Sequence, residues 1–133
     1  MFITLDNGRK FVIKFHYFTQ GRAKFTKDQY GRTVNTFWDE HDTKTSIYEW
    51  FDDKPGARVA FDGFAHCSYK DKYDKKYGRN LSLVKALMEM KFHKQISKTE
   101  FWEIAEKAGL EKKKGAEIIL GFCRAVNVLK DEE

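Results

Sequence analysis

Histidines, cysteines and clustered carboxylates are the residues of this chain that could carry out catalysis or bind a metal ion. The four histidines, at positions 16, 41, 66 and 93, never occur in the His-x-x-x-His or His-Glu-x-x-His spacings of metal sites, and no Cys-x-x-Cys is present. His66 and Cys67 are adjacent, but neighbouring residues of a strand point to opposite faces and cannot act together as base and nucleophile. The sequence therefore predicts no catalytic residue, no metal ion and no cofactor.

The run Asp39-Glu40-His41-Asp42 is the second group that could do chemistry, either by general acid–base catalysis or by holding a cation. Four polar residues between two strands are also typical of a solvated loop, and an exposed loop is our prediction. Phosphate-binding glycine loops, dinucleotide-binding glycine patterns and nucleophile elbows are missing from the sequence. We therefore expect a protein that is not an enzyme.

Positive charge is concentrated in one segment. Residues 68–98 carry nine lysines and arginines and three acids, a net charge of +6, whereas the whole chain is +5. Within this segment Lys72, Lys75, Lys76 and Arg79 have helical spacing and are predicted to share one exposed helix surface, here called the cationic cluster. Clustered cations bind nucleic-acid phosphates or an acidic protein surface, so these four residues are the predicted partner-binding site. A solvated helix face is the alternative.

Aromatic residues near this segment could add base stacking, although most of them fall in predicted core positions. They are Phe64, Tyr69, Tyr73, Tyr77 and Trp102. A DNA-reading helix pair with Lys112, Lys113, Lys114 and Arg124 is disfavoured, because its several glutamates would face the phosphates. An acidic mimic of DNA is disfavoured as well, since the net charge has the wrong sign.

Composition indicates one ordered domain in the cytoplasm. The chain has 133 residues, 41% of them apolar, with one proline and nine glycines. Neither a signal-peptide pattern nor an apolar run near the roughly 18 residues of a membrane span is present, so no membrane association is expected. Cys67 and Cys123 lie in apolar segments without a neighbouring cysteine, and buried free thiols are predicted.

The first 70 residues predict an antiparallel β-meander, because short β-rich runs alternate with turn residues. The predicted strands are residues 2–5, 10–19, 23–27, 33–38, 43–51 and 58–69, with a short helix left open for 43–51. The predicted turns are Asp6-Asn7-Gly8, Gln20-Gly21, Tyr30-Gly31-Arg32 and Lys54-Pro55-Gly56. The two-residue period directs Phe11, Ile13, Phe15 and Tyr17 to the core. It also makes 58–69 a central strand, with Val59, Phe61, Gly63, Ala65, Cys67 and Tyr69 facing inward.

The hydrophobic period then changes to that of helices. Tyr73, Tyr77, Leu81, Val84 and Met88 form the apolar stripe of a helix predicted at about 70–92. Gly78 lies inside it, which indicates close packing on the sheet or, alternatively, a helix start at Asn80. A helical hairpin follows over about 96–129, with the capping box Ser97-Lys98-Thr99-Glu100, a staple between Ile96 and Phe101, and Gly109 as the left-handed stop. Its second helix is expected at about 112–129.

These elements predict an α+β protein. Residues 1–95 form an antiparallel meander packed by the cationic amphipathic helix, and residues 96–133 form a helical hairpin that packs on the first part as one compact unit.

Two local resemblances accompany this prediction. Residues 97–117, from Ser97-Lys-Thr-Glu-Phe-Trp onward, resemble the N-terminal helix pair of the bacterial histone-like HU family; that family grips DNA with β-ribbon arms that follow the hairpin, and nothing after Asp131 supplies them. Residues 64–87, which include Asp71-Lys-Tyr-Asp-Lys-Lys-Tyr-Gly-Arg79, resemble a strand-then-helix pattern of small uncharacterised bacteriophage accessory proteins. This second resemblance implies a phage origin and hence the cytoplasm of a host cell.

Three functions follow, in order of preference. The first is a non-enzymatic phage-type protein that inhibits or modulates a host nucleic-acid-processing or defence complex, for example an anti-CRISPR, whose partner is a host protein or ribonucleoprotein. The second is a protein that binds nucleic acid directly through the cationic cluster. The third is a small phage enzyme without a recognisable motif. Homodimerisation through the hairpin stays open, and exposed, unpaired Trp38 or Trp50 would favour a protein interface.

Overall fold

Four antiparallel strands and three helices follow one another along the described part of the chain, so the protein has an α+β fold, as predicted. The computed structural model describes residues 1–54, 59–67 and 74–120. The elements are β1 (Phe2–Thr4), β2 (Lys10–Lys27), β3 (Thr33–Trp50), β4 (Phe61–Cys67), α1 (Lys75–Phe92), α2 (Lys98–Lys107) and α3 (Lys112–Leu120). No helix within these ranges is long and apolar enough to cross a membrane.

The two central strands are much longer than their neighbours. The strand order is β1-β2-β3-β4, and β2 pairs with β3 without a break from Lys10↔Trp50 to Lys27↔Thr33. β1 pairs only with residues 10–12 of β2, and β4 pairs only with residues 41–47 of β3. Residues 20–40 therefore extend beyond both neighbours as a β-hairpin that is two-stranded within the described part of the chain, here called the arm.

Two predicted breaks in the meander are wrong. Gln20-Gly21 is not a turn, because β2 runs through it, and the predicted strands 10–19 and 23–27 are one strand. Residues 39–42 are not a loop, because β3 joins the predicted strands 33–38 and 43–51 through them. Polar residues fit a strand here because Asp39 is exposed and residues 40–42 are only half-buried, with Glu40 and Asp42 in contact with His66 of β4. The turns at Asp6-Asn7-Gly8 and Tyr30-Gly31-Arg32 are confirmed, with φ of 91° at Gly8 and 78° at Gly31.

The strand predicted for residues 58–69 is β4, and it is shorter and placed differently. It lies at an edge of the sheet formed by the described residues, not at its centre. Gly63 and Ala65 are buried as predicted, whereas Val59 precedes β4 and is exposed. Residues 43–51 are strand rather than helix up to Trp50. Of the predicted Lys54-Pro55-Gly56 turn only Lys54 is described, and Tyr69, Tyr73, Cys123 and Arg124 lie outside the described residues.

The helices pack on one face of the sheet, here called the inner face. Phe11, Ile13 and Ile47 point to this face and are fully buried together with residues of all three helices. The last two residues that were predicted to face the core are less buried: Phe15 is half-buried against the core and Tyr17 is exposed. The opposite face of the sheet, the outer face, has no described helix against it.

Small residues let α1 approach the sheet closely. A Cβ built on Gly78 would lie 2.9 Å from the Thr43 Oγ1 atom, which confirms the close packing predicted for this glycine and excludes a start at Asn80. Fully buried Ser82 and Thr45 share a hydrogen bond of 2.6 Å between their hydroxyl groups, and the Ser82 hydroxyl also donates to the Arg79 carbonyl. These contacts fix which turn of α1 lies over which residue of β3.

The ends of the helices are set by local hydrogen bonds. α1 begins at Lys75, later than the predicted residue 70, because the Asp74 side chain accepts from the Tyr77 N–H as N-cap. Residues 70–73 lie outside the described part. Tyr77 is exposed, so the predicted apolar stripe is wrong at this position; the buried residues of α1 centre on Leu83, Val84 and Leu87.

The helical hairpin begins as predicted. The Ser97–Glu100 capping box is confirmed in both directions, and Ile96 and Phe101 are buried. α2 ends in a Schellman motif, in which Gly109 has a φ of 95° and the Leu110 N–H donates to the Ala105 carbonyl. α3 is described as far as Leu120, so the remainder of the helix predicted to residue 129 lies outside the described residues.

Arg9 joins the sheet to α2 through two carboxylates. Its guanidinium contacts Glu49 at 2.8 Å and Glu100 at 2.7 Å, and it also donates to the Gln95 carbonyl. Partial burial raises the pKa of Glu100, but hydrogen bonds from the Ser97 backbone, Asn7 and Arg9 outweigh it and hold that pKa below its usual value. The ionised form of Glu100 is therefore favoured by folding.

This lowered pKa predicts a loss of stability in acid. Because the folded protein holds Glu100 with a depressed pKa, its contribution is present above the ordinary pKa of 4.5 and is lost as the pH falls through the folded value. We expect Glu100→Gln to lower the melting temperature near neutral pH, and the gap to the unmodified protein to narrow by about pH 3. Thermal unfolding of both proteins between these pH values measures this difference in melting temperature. Exposed Glu106 offers the matched control Glu106→Gln, and a gap that stays constant with pH would contradict the assignment.

Candidate functional site

The described members of the cationic cluster do not share one surface. Lys75 and Arg79 turn back over the inner face, where the Lys75 Nζ atom lies 4.2 Å from the centre of the Tyr17 ring and the Arg79 guanidinium lies 4.3 Å from that of Phe15. Arg79 also donates a 3.3 Å hydrogen bond to the Ala108 carbonyl. Lys72 lies outside the described residues. The structure thus brings Lys75 and Arg79 together at the start of α1.

Lys76 is on another side of the same turn. It is exposed and lines a hollow of about 400 Å³ between the start of α1 and α3. The other residues of this hollow are Asp74, Tyr77, Asn80, Lys114, Glu117 and Ile118. With two lysines and two carboxylates, its lining has no net charge. The Lys76 side chain therefore points away from those of Lys75 and Arg79, although all three residues lie within one and a quarter turns of helix.

The start of α1 lies at the root of the arm. Gly78 packs against Thr43, and Thr43 pairs with Tyr17, over whose ring Lys75 lies. Beyond that pair, inner-face positions of β2 and β3 continue into the arm through Thr19↔His41, Gly21↔Asp39, Ala23↔Phe37 and Phe25↔Asn35. The helix and the arm consequently meet at a step, with Lys75 and Arg79 at its foot.

Aromatic side chains of the arm are exposed to an unusual degree. The exposed fractions are 67% for Phe25, 70% for Phe37 and 71% for Tyr30. Phe25 and Phe37 point to the inner face, and Tyr30 is at the tip. Isolated exposed apolar residues are ordinary, but three rings on one hairpin outside the core contribute little to folding. They remain available to a partner.

The outer part of the arm is basic. Residues 21–38 contain four lysines and arginines and one acid. Arg32 pairs with Asp28 at 3.1 Å, and Arg22 pairs with Glu40 at 3.5 Å. Lys24 and Lys27 have no ion-pair partner among the described residues and are exposed. The arm thus presents these two lysines to solvent beside its exposed rings.

The tip of the arm is held by a single carboxylate. Asp28 accepts hydrogen bonds from the Arg32 and Tyr30 N–H groups, each at 2.9 Å, and the Arg32 bond is the main reason why its pKa is below the usual value. Arg32 lies 5.0 Å from the centre of the Tyr30 ring. These contacts give the turn a defined shape although residues 29–32 are exposed.

A histidine and two carboxylates meet on the outer face, at the root of the arm. Glu40 and Asp42 point to this face and both contact His66 of β4, Glu40 at 3.4 Å, whereas Asp39 and His41 point inward. His66 and Cys67 point to opposite faces, as predicted. Among the described residues, no three or more His, Cys, Asp or Glu side chains are placed to hold a metal ion. The group links β3 to β4 through contacts of the His66 ring with the two carboxylates.

The outer face carries rings that are covered less completely than a core. Phe2, Phe18 and Phe64 are exposed on it, and lysine ammonium groups lie near the rings of Tyr48 and Phe64, each at 5.8 Å. The indole N–H groups of Trp38 and Trp50 donate to Glu40 and Asp52, respectively, and both tryptophans are half-buried. The exposed, unpaired tryptophan that would favour a protein interface is therefore not found at either position.

Sequence reasoning missed Phe25 and Phe37 as site residues. A signal was present: residues 20–27 and 33–40 have equal length on either side of the Asp28–Arg32 turn, and each contains β-favouring Thr, Val, Phe or Trp residues. Segments of equal length around a turn indicate one long hairpin.

No protein-family model matches this chain, and no curated protein or solved structure is detectably similar to it.

Proposed function

We propose that this protein acts by binding nucleic acid rather than by catalysis, and that its binding surface is the step formed by the arm and the start of α1. The observation that carries the proposal is the arm itself, where exposed aromatic rings lie beside lysines that have no ion-pair partner among the described residues. Nucleic acid offers phosphates for the lysines and flat bases for the rings.

The start of α1 supplies the second set of cations. Lys75 and Arg79 lie over Tyr17 and Phe15 at the foot of the arm, so a phosphate backbone that follows the inner face of the arm would reach them. Ring contacts hold these long side chains in place and reduce the entropy that is lost when they bind a partner. Lys76 and Lys72 add positive charge to the same segment of the sequence.

Charge reversal tests the proposal. We expect Lys27→Glu/Lys75→Glu, at two lysines of this surface, to weaken binding to a labelled 20-nucleotide single strand roughly 10-fold. The slope of log Kd against log salt should fall by about one for each phosphate that a lysine no longer neutralises, because fewer counterions are then released on binding. Fluorescence anisotropy at about 50 mM and 200 mM salt measures both quantities.

The matched control is Lys94→Glu/Lys98→Glu, which makes the same charge change at exposed positions beyond the far end of α1. Its affinity should stay within about twofold of the unmodified protein, because these lysines lie away from the step. Equal losses in both variants would show that net charge, and not this surface, determines binding. Failure of the unmodified protein to bind single- or double-stranded DNA or RNA would refute the proposed function.

A second candidate is favoured by a different surface. Phe2, Phe18 and Phe64 are exposed on the outer face, and exposed rings of this kind anchor protein interfaces. In that case the protein is a phage-type inhibitor, for example an anti-CRISPR, that docks on a host nucleic-acid-processing or defence complex in the host cytoplasm. Phage origin rests on the resemblance of residues 64–87. Binding to such a complex would be lost in Phe64→Ala and would depend weakly on salt, which separates it from phosphate binding.

A further inference from the structure

The inner face of the arm carries two phenylalanines on neighbouring strands. Phe37 pairs with Ala23, and Phe25 pairs with Asn35. The two phenylalanines are therefore diagonal neighbours on the same face, because Phe25 lies two residues along β2 from the partner of Phe37. Diagonal neighbours in an antiparallel pair are about 7–8 Å apart at their Cα atoms. This separation is similar to the distance between successive bases in an extended single strand of nucleic acid.

Small residues leave the Phe37 ring uncovered. Its cross-strand partner is Ala23, and the next inner-face residue of β2 is Gly21, on which an added Cβ would have no atom within 4 Å. A hollow of about 480 Å³ borders the ring and is lined by residues 21–23 and 37–39. A flat ligand can therefore lie against Phe37 without displacing any described side chain.

Charge on the arm complements a phosphate backbone. Lys27 follows Phe25 on the inner face by the two-residue period, and Lys75 lies at the other end of the same face over Tyr17. Cations thus flank the two rings at the outer end and at the foot of the arm. Asp39 is an acid on this face near Phe37, and it disfavours a phosphate at the position between Lys75 and Phe37.

The nature of the rings distinguishes single strands from duplexes. Phenylalanine has no hydrogen-bond donor or acceptor, so it cannot read the base edges that a duplex displays in its grooves. Its flat face gains most from an unpaired base, which is free to stack on it. A duplex has its bases already stacked on one another, and two exposed phenylalanines would gain little from its grooves.

We infer that Phe25 and Phe37 form a stacking site for two unpaired bases of single-stranded nucleic acid. Lys27 contacts a phosphate beside these bases, and Lys75, about 20 Å from the Phe37 row, contacts a phosphate further along the same strand. The inference rests on the proposed function, because it names the form of nucleic acid that the same surface binds. The sugar is not distinguished by these contacts, so DNA and RNA are both tested. Base identity has little influence, because every base presents a flat face.

Two measurements test the stacking site. We expect a 12-nucleotide single strand of DNA or RNA to bind the unmodified protein at least about 10-fold more tightly than a blunt duplex of equal length. Phe25→Ala/Phe37→Ala should weaken single-strand binding roughly 100-fold while leaving the salt slope unchanged, because phosphate contacts remain. Phe37→Trp should retain binding. Phe51→Ala/Phe92→Ala is the matched control, since it removes two exposed rings outside the arm and should leave single-strand affinity unchanged.

An oligonucleotide change makes the test independent of the variants. Abasic sites remove the bases of the single strand and keep its phosphates, so affinity for the unmodified protein should fall by a factor similar to that of the double alanine variant. Unchanged affinity for abasic strands, or a duplex that binds as tightly as the single strand, overturns the stacking site and leaves the proposed function standing. Failure of every nucleic acid to bind overturns both.

Discussion

Replacing residues 21–39 by a two-residue Asn-Gly turn should abolish nucleic-acid binding and leave the fold intact. The replacement keeps Gln20 opposite Glu40, and Asn-Gly is suited to the tight turn that then joins these paired residues. It removes both inner-face phenylalanines together with Lys24 and Lys27, so we expect binding to weaken by more than about 100-fold.

Stability should change little, because the deleted residues are exposed apart from half-buried Asp28 and Trp38. We expect a melting temperature within about 4 °C of the full chain, which corresponds to roughly 1 kcal/mol for a domain of this size. Thermal unfolding followed by circular dichroism and anisotropy with a labelled strand measure the two results on the same sample. A shortened protein that still binds tightly would exclude the arm as the binding surface.

Gly63→Ala should produce the largest loss of stability. A Cβ at this position in β4 would lie 2.1 Å from the Ser82 carbonyl oxygen and 2.5 Å from the Ala86 nitrogen, both of which are backbone atoms of α1. Backbone cannot rotate aside as a side chain can, so α1 has to move away from the sheet and weaken the core beneath it. We expect a loss of about 3 kcal/mol in the free energy of unfolding, or roughly 10 °C in melting temperature.

Gly21→Ala is the matched control for this substitution. It is the same change in a strand of the same sheet, but nothing lies within 4 Å of the added Cβ and the backbone is not left-handed. Its free energy of unfolding should stay within about 0.5 kcal/mol of the unmodified protein. Equal melting temperatures for the Gly63 and Gly21 variants would mean that α1 is free to shift over β4, contrary to the close packing described above.

Features that depend on neighbouring residues could be predicted from the sequence. The Ser97–Glu100 capping box and the Gly109 stop are set within a few residues of chain, and both were correct. The close packing of Gly78 was also correct, because a glycine inside an otherwise favourable helix pattern needs a steric reason. The inward positions Phe11 and Ile13 followed from the two-residue period, since the core lies on one side of them.

The arm could not be predicted in the same way. Strands are recognised by alternation of apolar and polar residues, and that alternation arises because one face is buried. Beyond residue 19 of β2 neither face is buried, so the only remaining indication of strand was β-propensity, and the polar runs around Gly21 and Glu40 looked like turns. The directions of Lys75 and Lys76 could not be predicted either. Lys75 turns toward the sheet because it contacts the ring of Tyr17 on β2, which is distant in the sequence.

The unbroken pairing of β2 with β3 also restricts how the arm can change in evolution. Its register is clamped by the buried rows around Phe11 and Ile13, and a shift of one residue would turn every later side chain to the opposite face. Insertions or deletions between these rows and the two phenylalanines keep Phe25 and Phe37 on the same face only if they occur in even numbers on each strand and in equal numbers on both. A change in that part of the arm should therefore alter its length by a multiple of four residues, whereas changes nearer the tip need only be equal on the two strands.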